Sequence, residues 1–232
     1  MTHPRISIAS VKDFKLRFVV QRVQNLTLHA DQSFRGSFER GLLVYLGVGG
    51  KVMQAEAVDT HSVAGPPPLP AARNTPLADA TRTGGEDQKT KHKQPAGRQS
   101  VHDDELHSLI KLSAEKILRL RTFSQNYREP NMNLSLLDLS EAGQAGPGVG
   151  LALVSQFTLF ADLTKGNRPS FSSALPGSQA KHVYELATAV FSEVFAGCLV
   201  TGIFGADMKI HYMNDGPVTY LFDASGGRIV SF

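Results

Sequence analysis

Tryptophan is absent, cysteine occurs once, at Cys198, and no apolar run approaches the ~18–20 residues of a membrane-spanning helix. A single thiol excludes an internal disulfide framework and a cysteine-based zinc site, and it fits a reducing, cytoplasmic compartment. The missing apolar run excludes an integral helical membrane protein. Charge of either sign is also in short supply: 24 Lys and Arg face 21 Asp and Glu, a net +3. That balance tolerates a polyanionic partner without arguing for one. Familiar catalytic patterns are missing too. There is no GxSxG elbow, no HExxH, no glycine-rich phosphate loop with Lys-Ser/Thr, and no pair of Cys or His at ligand spacing. His3, His29, His61, His92, His102, His107, His182 and His211 are scattered and read as surface residues. No metal and no cofactor is expected. Gly47-Val48-Gly49-Gly50 follows a strand, but no third glycine opens a helix behind it, so it does not read as a nucleotide site.

What the chain does have is 232 residues with 41% hydrophobic and 19% charged content, the composition of one globular domain with a buried core. The strongest shift in composition spans residues 52–101. This stretch holds Pro66, Pro67, Pro68, Pro70, Pro76 and Pro95, half of the 12 prolines, and no Phe, Tyr or Trp. Such a segment cannot bury enough apolar surface to offset the entropy of ordering it, and it reads as a mobile insertion in a domain spanning residues 16–223. Residues 1–15 read as a disordered extension. Arg5, Lys12 and Lys15 hint at a targeting peptide, but Asp13 and the lack of an amphipathic face weaken that reading. Residues 224–232 read as a tail.

Between these appendages, strands and helices alternate. Strands are expected at 17–23, 26–30, 42–48, 134–139, 151–160, 199–204, 208–213 and 218–222. One helix is expected from a cap at Asp103 or Asp104 to Arg121, and a second from Ser178 to a stop at Gly197. This order implies an α/β fold: a single domain with curled, barrel-like β-sheets and two main helices packed on one side, in three α/β/β layers.

Two segments resist a purely structural reading. Ser155-Gln156-Phe157-Thr158 follows the core residues Leu151 and Val154 with a run of hydrogen-bonding groups and a large ring. Either a strand emerges here at a sheet end, or the run floors a site. In a site, backbone N–H groups would stabilise an oxyanion while Phe157 stacks on an aromatic ligand. Asn214-Asp215-Gly216-Pro217-Val218-Thr219 is strong turn chemistry, and a tight connection between strands accounts for it. Pro217 has no N–H and cannot sit inside a central ladder. A Gly-Pro bond is also one of the few that adopts cis at modest cost, about 0.5–1 kcal/mol.

Taken together, the two segments resemble the signature motifs of the D-aminoacyl-tRNA deacylase family, also called D-tyrosyl-tRNA deacylase: SQF-T, here Ser155 to Thr158, and N-x-G-P-x-T, here Asn214 to Thr219. Val19-Val20-Gln21-Arg22-Val23, Met132-Asn133-Leu134-Ser135, Gly166-Asn167-Arg168-Pro169-Ser170-Phe171 and Phe204-Gly205-Ala206-Asp207-Met208 extend the likeness from Arg17 to about Asp223. The N-terminal extension, the insertion and the tail depart from it. The resemblance implies hydrolysis of the ester between a D-amino acid and the 3′-terminal adenosine of tRNA, with glycine admitted to some degree. It implies a homodimer in which a cis Gly216-Pro217 dipeptide reaches into the partner's pocket. There its carbonyls hold the substrate's α-amino group and leave no room for an L side chain. Ser155, Gln156, Phe157 and Thr158 would form the catalytic floor, Asn214, Gly216, Pro217 and Thr219 would bind substrate, and Arg22 would brace the Gly-Pro carbonyls.

An aminoacyl ester is already activated, and the adjacent ribose 2′-OH can assist its cleavage, which explains why so few side chains look catalytic. The protein then needs to position the ester and supply backbone donors, each worth on the order of 2.7–4 kcal/mol in the transition state. The N–H of Phe157, with that of Thr158, is the expected donor. Thr158 as a covalent nucleophile is the rival mechanism and lacks an evident base. Two other classes stay open. One is a tRNA- or DNA-binding module without hydrolase activity, holding phosphates on Lys89, Lys91, Lys93 and Lys165 to Arg168. The other is an interaction protein working through the proline-rich insertion.

Overall fold

Apolar residues at alternate positions draw the first strand, β1 (Phe14–Ala30), across two cores. Phe14, Leu16, Phe18 and Val20 are buried on the helix-covered face, whereas Val23, Leu26 and Leu28 enter a second cluster with Phe38, Leu43, Ala152, Val154 and Val200. The alternation changes phase where the pairing of β1 with β5 (Met208–Ser225) slips, between Gln21 and Val23 and again between Gln24 and Thr27. Extra residues at such slips bend and twist a strand. The sheet accordingly curls, and one strand faces two interiors. The computed structural model describes residues 14–50, 97–125, 131–141 and 148–231.

The sheet is mixed, in the order β4 (Cys198–Thr201), β3 (Val149–Ser155), β2 (Ser33–Gly50), β1, β5 and β6 (Arg228–Ser231). β2 pairs antiparallel with β1 and parallel with β3, and β3 pairs parallel with β4. Helices α1 (Gly97–Arg119) and α3 (Gly177–Val194) pack on one face, where Leu106, Leu109, Ile110, Ile117, Val183, Ala187, Val190 and Phe191 close the larger core. This is the single α/β domain with a curled sheet and one-sided helices that the order of elements implied. No helix among the described residues is long and apolar enough to cross a membrane.

Several local readings are corrected. The apolar run at 134–139 is not a strand: Ser135 caps a short helix, α2 (Leu136–Leu139). Its hydroxyl accepts from the Asp138 N–H at 3.2 Å, and the Asp138 carboxylate accepts from the Ser135 N–H at 2.7 Å. The Ser135 N–H and the Ser135 hydroxyl, which donates to the same carboxylate at 2.7 Å, hold the Asp138 carboxyl below the usual range. The Ser-x-x-Asp spacing was the signal for a cap. β1 is continuous across the expected break at 24–25, with Asn25 at φ 52°. α1 starts at Gly97, not at Asp103 or Asp104, so its first turns occupy residues assigned to the insertion; the rest of that segment, 52–96, lies outside the described residues, as do residues 1–13. β4 ends at Thr201, short of Phe204. The tail instead completes the sheet. β5 runs on to Ser225, Gly226 and Gly227 turn the chain at φ 57° and 76°, and β6 (Arg228–Ser231) pairs back on β5. Two left-handed glycines are the standard chemistry of a two-residue hairpin.

Candidate active site

The expected strand at 151–160 stops at Ser155, and the reason defines the site. Ser155 pairs with Leu46 as the last rung of β3, and the Gln156 N–H donates to the Leu46 carbonyl at 2.8 Å. The chain then tightens into a single 3-10 turn, Phe157–Phe160, whose first carbonyl acceptor is that of Gln156, from the Leu159 N–H at 3.4 Å. In such a turn the leading N–H groups have no partner inside the helix. Those of Phe157 and Thr158 find none elsewhere among the described residues. They are donors held at the mouth of a sheet.

The side chains around them are accessible. Phe157 is 56% exposed and meets Phe171 edge-to-face, with ring centroids 4.9 Å apart. The Gln156 amide donates to the Thr158 hydroxyl oxygen. That contact occupies the hydroxyl with a neutral amide, and among the described residues no carboxylate or imidazole is hydrogen-bonded to it. The turn rests on β2. A Cβ on Gly49 would come within 2.3 Å of the Phe160 ring, and one on Gly47 within 2.9 Å of Leu159 Cβ.

The second motif lies on β5. Val23 opposes Asn214 and Gln21 opposes Thr219, so residues 215–218 face Arg22 alone and leave the ladder as a bulge. The two strands expected at 208–213 and 218–222 are one strand carrying this excursion. The Gly216-Pro217 bond is cis, and both residues are exposed. Gly216 sits at φ 122°, a conformation open to glycine and costly to any other residue. A Cβ there would stand 2.8 Å from Arg22 Nη2.

Arg22 holds the entry to the dipeptide. Its Nε donates to the Asp215 carbonyl at 3.1 Å and pairs with the Asp215 carboxylate at 3.1 Å. Nη1 donates to the Thr122 carbonyl at 2.7 Å and lies 3.4 Å from Met132 Sδ. These bonds engage the peptide just before Gly216; none goes to the Gly216 or Pro217 carbonyl. Across the same strands, the Gln21 amide donates to the Thr219 hydroxyl at 3.4 Å and its carbonyl accepts from Tyr212 at 3.2 Å. Asn214 is exposed beside the bulge. Thr122 carried no sequence signal and Met132 entered only as part of the family likeness, because only the fold brings the segments that follow α1 against Arg22 of β1.

Within one chain the two motifs are separate. Ser155 is level with Leu46, Phe18 and Phe222, whereas Gly216 is level with Arg22, four residues along β1 and three strands away from β3. At about 4.8 Å per strand and 3.3 Å per residue, that is on the order of 20 Å.

A family model described as D-Tyr-tRNA(Tyr) deacylase matches residues 100–223, just over half of the chain. A D-aminoacyl-tRNA deacylase of Thermosipho africanus is 33% identical over 215 residues, covering 90% of this chain and 97% of the relative. One from Sulfurihydrogenibium sp. is 42% identical over 124 residues, 53% of this chain and 76% of the relative. Among solved structures, one described as a probable eukaryotic D-amino acid tRNA deacylase superposes with a TM-score of 0.54 at 14% identity, covering 90% of this chain and 99% of the other. The c-Myc DNA Unwinding Element Binding Protein does so with 0.53 at 23%, covering 88% and 96%. At these identities the structural likeness speaks for the fold alone.

Proposed function

The chain belongs to the D-aminoacyl-tRNA deacylase family and is a hydrolase, and from that premise we propose how its residues divide the work. The substrate is a D-amino acid, or glycine, esterified to the 3′-terminal adenosine of tRNA. Water adds to the ester carbonyl carbon, and the carbonyl oxygen becomes an oxyanion received by the free N–H groups of Phe157 and Thr158. The bond to the ribose oxygen then breaks, and that oxygen takes up a proton with the neighbouring 2′-OH as relay. Ser155 and Gln156 anchor the turn, and Phe157 offers its exposed ring to the terminal adenine. The Gln156 amide on the Thr158 hydroxyl favours this backbone mechanism over a threonine nucleophile, since a neutral amide cannot take the proton a nucleophile must lose.

Chirality is read by the Gly216-Pro217 carbonyls, which receive the substrate's α-amino group, with Asn214 and Thr219 flanking them and Arg22 setting the peptide that leads in. The observation that carries this reading is the separation of the motifs. Being on the order of 20 Å apart within one chain, they form one pocket only if a second copy supplies the dipeptide. A twofold homodimer does this reciprocally. Mixing subunits tests it. Gly216→Ala and Phe157→Pro chains, each inactive alone, should on random co-assembly restore about a quarter of wild-type sites, because half the dimers are mixed and each holds one intact pocket. No recovery in mixed dimers would place both motifs of a site in one chain.

Catalysis does not depend on most of the residues between β2 and α1. Composition supports this, since a proline-rich segment without aromatic residues cannot build a pocket wall. Replacing residues 53–96 by a short Gly/Ser linker should leave D-Tyr-tRNA deacylation within about threefold of wild type, as that composition implies. A thousandfold loss in a folded variant would make the segment part of the site. The single half-buried Cys198 supports a cytoplasmic setting, where tRNA is charged.

A further inference from the structure

The turn that presents the Phe157 and Thr158 N–H groups is gripped from the side by a charged pair that neither motif contains. Arg17 of β1 opposes Asp223 of β5, 206 positions away, and meets it through two bonds: Nε to Oδ1 at 2.7 Å and Nη2 to Oδ2 at 2.9 Å. The remaining terminal nitrogen, Nη1, donates to the Leu159 carbonyl at 3.1 Å, and the guanidinium carbon stands 4.9 Å from the centre of the Phe160 ring. The Asp223 side chain is 4% exposed and that of Arg17 24%. A planar fork bound on two sides cannot rotate without breaking one set of bonds. Its position, and with it that of Leu159 and Phe160, is set by two central strands.

We propose that Arg17, oriented by Asp223, is a positioning residue for catalysis: it fixes the 3-10 turn so that the donors at its start stay aimed at the reacting oxygen. This rests on the backbone mechanism above. Arg17 touches no substrate; it acts through Leu159 and Phe160. A displacement of about 1 Å at such donors costs on the order of a hundredfold in rate, so an anchor two residues away matters to the chemistry more than to binding.

Four variants separate positioning from stability. Arg17→Met removes the anchor but strands Asp223 in the interior with only Lys15, 3.5 Å away. Arg17→Met with Asp223→Leu removes the anchor and leaves no buried charge unpaired, so the fold is kept. Arg17→Lys keeps the charge but cannot hold Asp223 and Leu159 together. The double variant should melt near the wild-type temperature, yet its kcat on D-Tyr-tRNA should fall by about 10- to 100-fold with KM within about threefold. Arg17→Lys should recover part of that loss. Preference for D- over L-Tyr-tRNA should not change, because the dipeptide on β5 is untouched. Amide hydrogen exchange at Phe160 and Ala161 should quicken at least about tenfold, while amides in α3 keep their protection. Lys15→Met, which removes a cation from Asp223 without touching the turn, should behave as wild type. A folded double variant with wild-type kcat, or unchanged exchange at the turn, would overturn the assignment. Wild-type protein that hydrolyses neither ester would overturn the proposed function instead, and the exchange measurement would still decide whether Arg17 holds the turn.

Discussion

Gly216→Ala should abolish nearly all deacylation of D-Tyr-tRNA while the protein stays folded. Two independent obstacles meet at this position. The backbone stands at φ 122°, which an L side chain rarely adopts, and the added Cβ would come within 2.8 Å of Arg22 Nη2 and of Val218 Cγ2. Val218 lies in the bulge itself, and Arg22 is tied to Asp215 and Thr122, so neither yields without moving the dipeptide. A shift of about 1 Å in the carbonyls proposed to hold the α-amino group is enough for a loss of about a hundredfold or more in single-turnover rate. The global fold should survive, because residues 215–218 stand outside the ladder and Gly216 is exposed. Thermal melting and single-turnover hydrolysis, measured together, check this. Activity within about fivefold of wild type would mean that the carbonyls tolerate such displacement and are not the filter.

Phe157→Pro should be nearly as damaging, and comparison with Phe157→Ala isolates the cause. Both variants lose the ring, but only proline loses the N–H. Position 157 is the first residue of the 3-10 turn, where proline's fixed φ is accepted. Gln156 before it is extended, at φ −145° and ψ 92°, and so avoids the α region that a following proline disfavours. Backbone distortion is therefore small, and the missing donor dominates. Removal of one oxyanion donor costs about 100- to 1,000-fold in kcat, so proline should fall below alanine by roughly that factor. Thr158→Ala, which keeps its N–H and loses only the hydroxyl, should remain within about tenfold of wild type. If Thr158→Ala is instead inactive and wild type accumulates an acyl-enzyme, the hydroxyl is the nucleophile and the N–H pair plays a lesser part.

The chemistry-bearing segments were legible because both depend on local residue types. Gly-Pro marks a break in a ladder wherever it falls, and Ser-Gln-Phe-Thr marks a polar end to an apolar strand. The two helices and most strands were legible for the same reason, since periods of 3.6 and 2 are properties of neighbouring residues. The misreadings share a cause too. Leu-Ser-Leu-Leu-Asp-Leu is apolar enough for a strand until the Ser135–Asp138 cap is weighed. Leu159-Phe160 continues the apolar character of β3, although the hydrogen bonds leave the ladder after Gln156.

By itself, the sequence determined the α/β class, the one-sided helices, the two motifs and the polypeptide groups that could do the chemistry, because each follows from residues close together in the chain. Only the tertiary structure decided how those groups are aimed. The N–H pair is left without a partner among the described residues because β3 ends at the rung of Leu46 and Phe160 packs down on Gly49. The entry to Gly216 is held because β1 carries Arg22 between Asp215 and Thr122. Arg17 reaches Asp223 across 206 positions and Leu159 across 142. Pairings at that separation are set by strand register and by the curl of the sheet. No local pattern encodes them, since a register is chosen by the burial of whole faces at once.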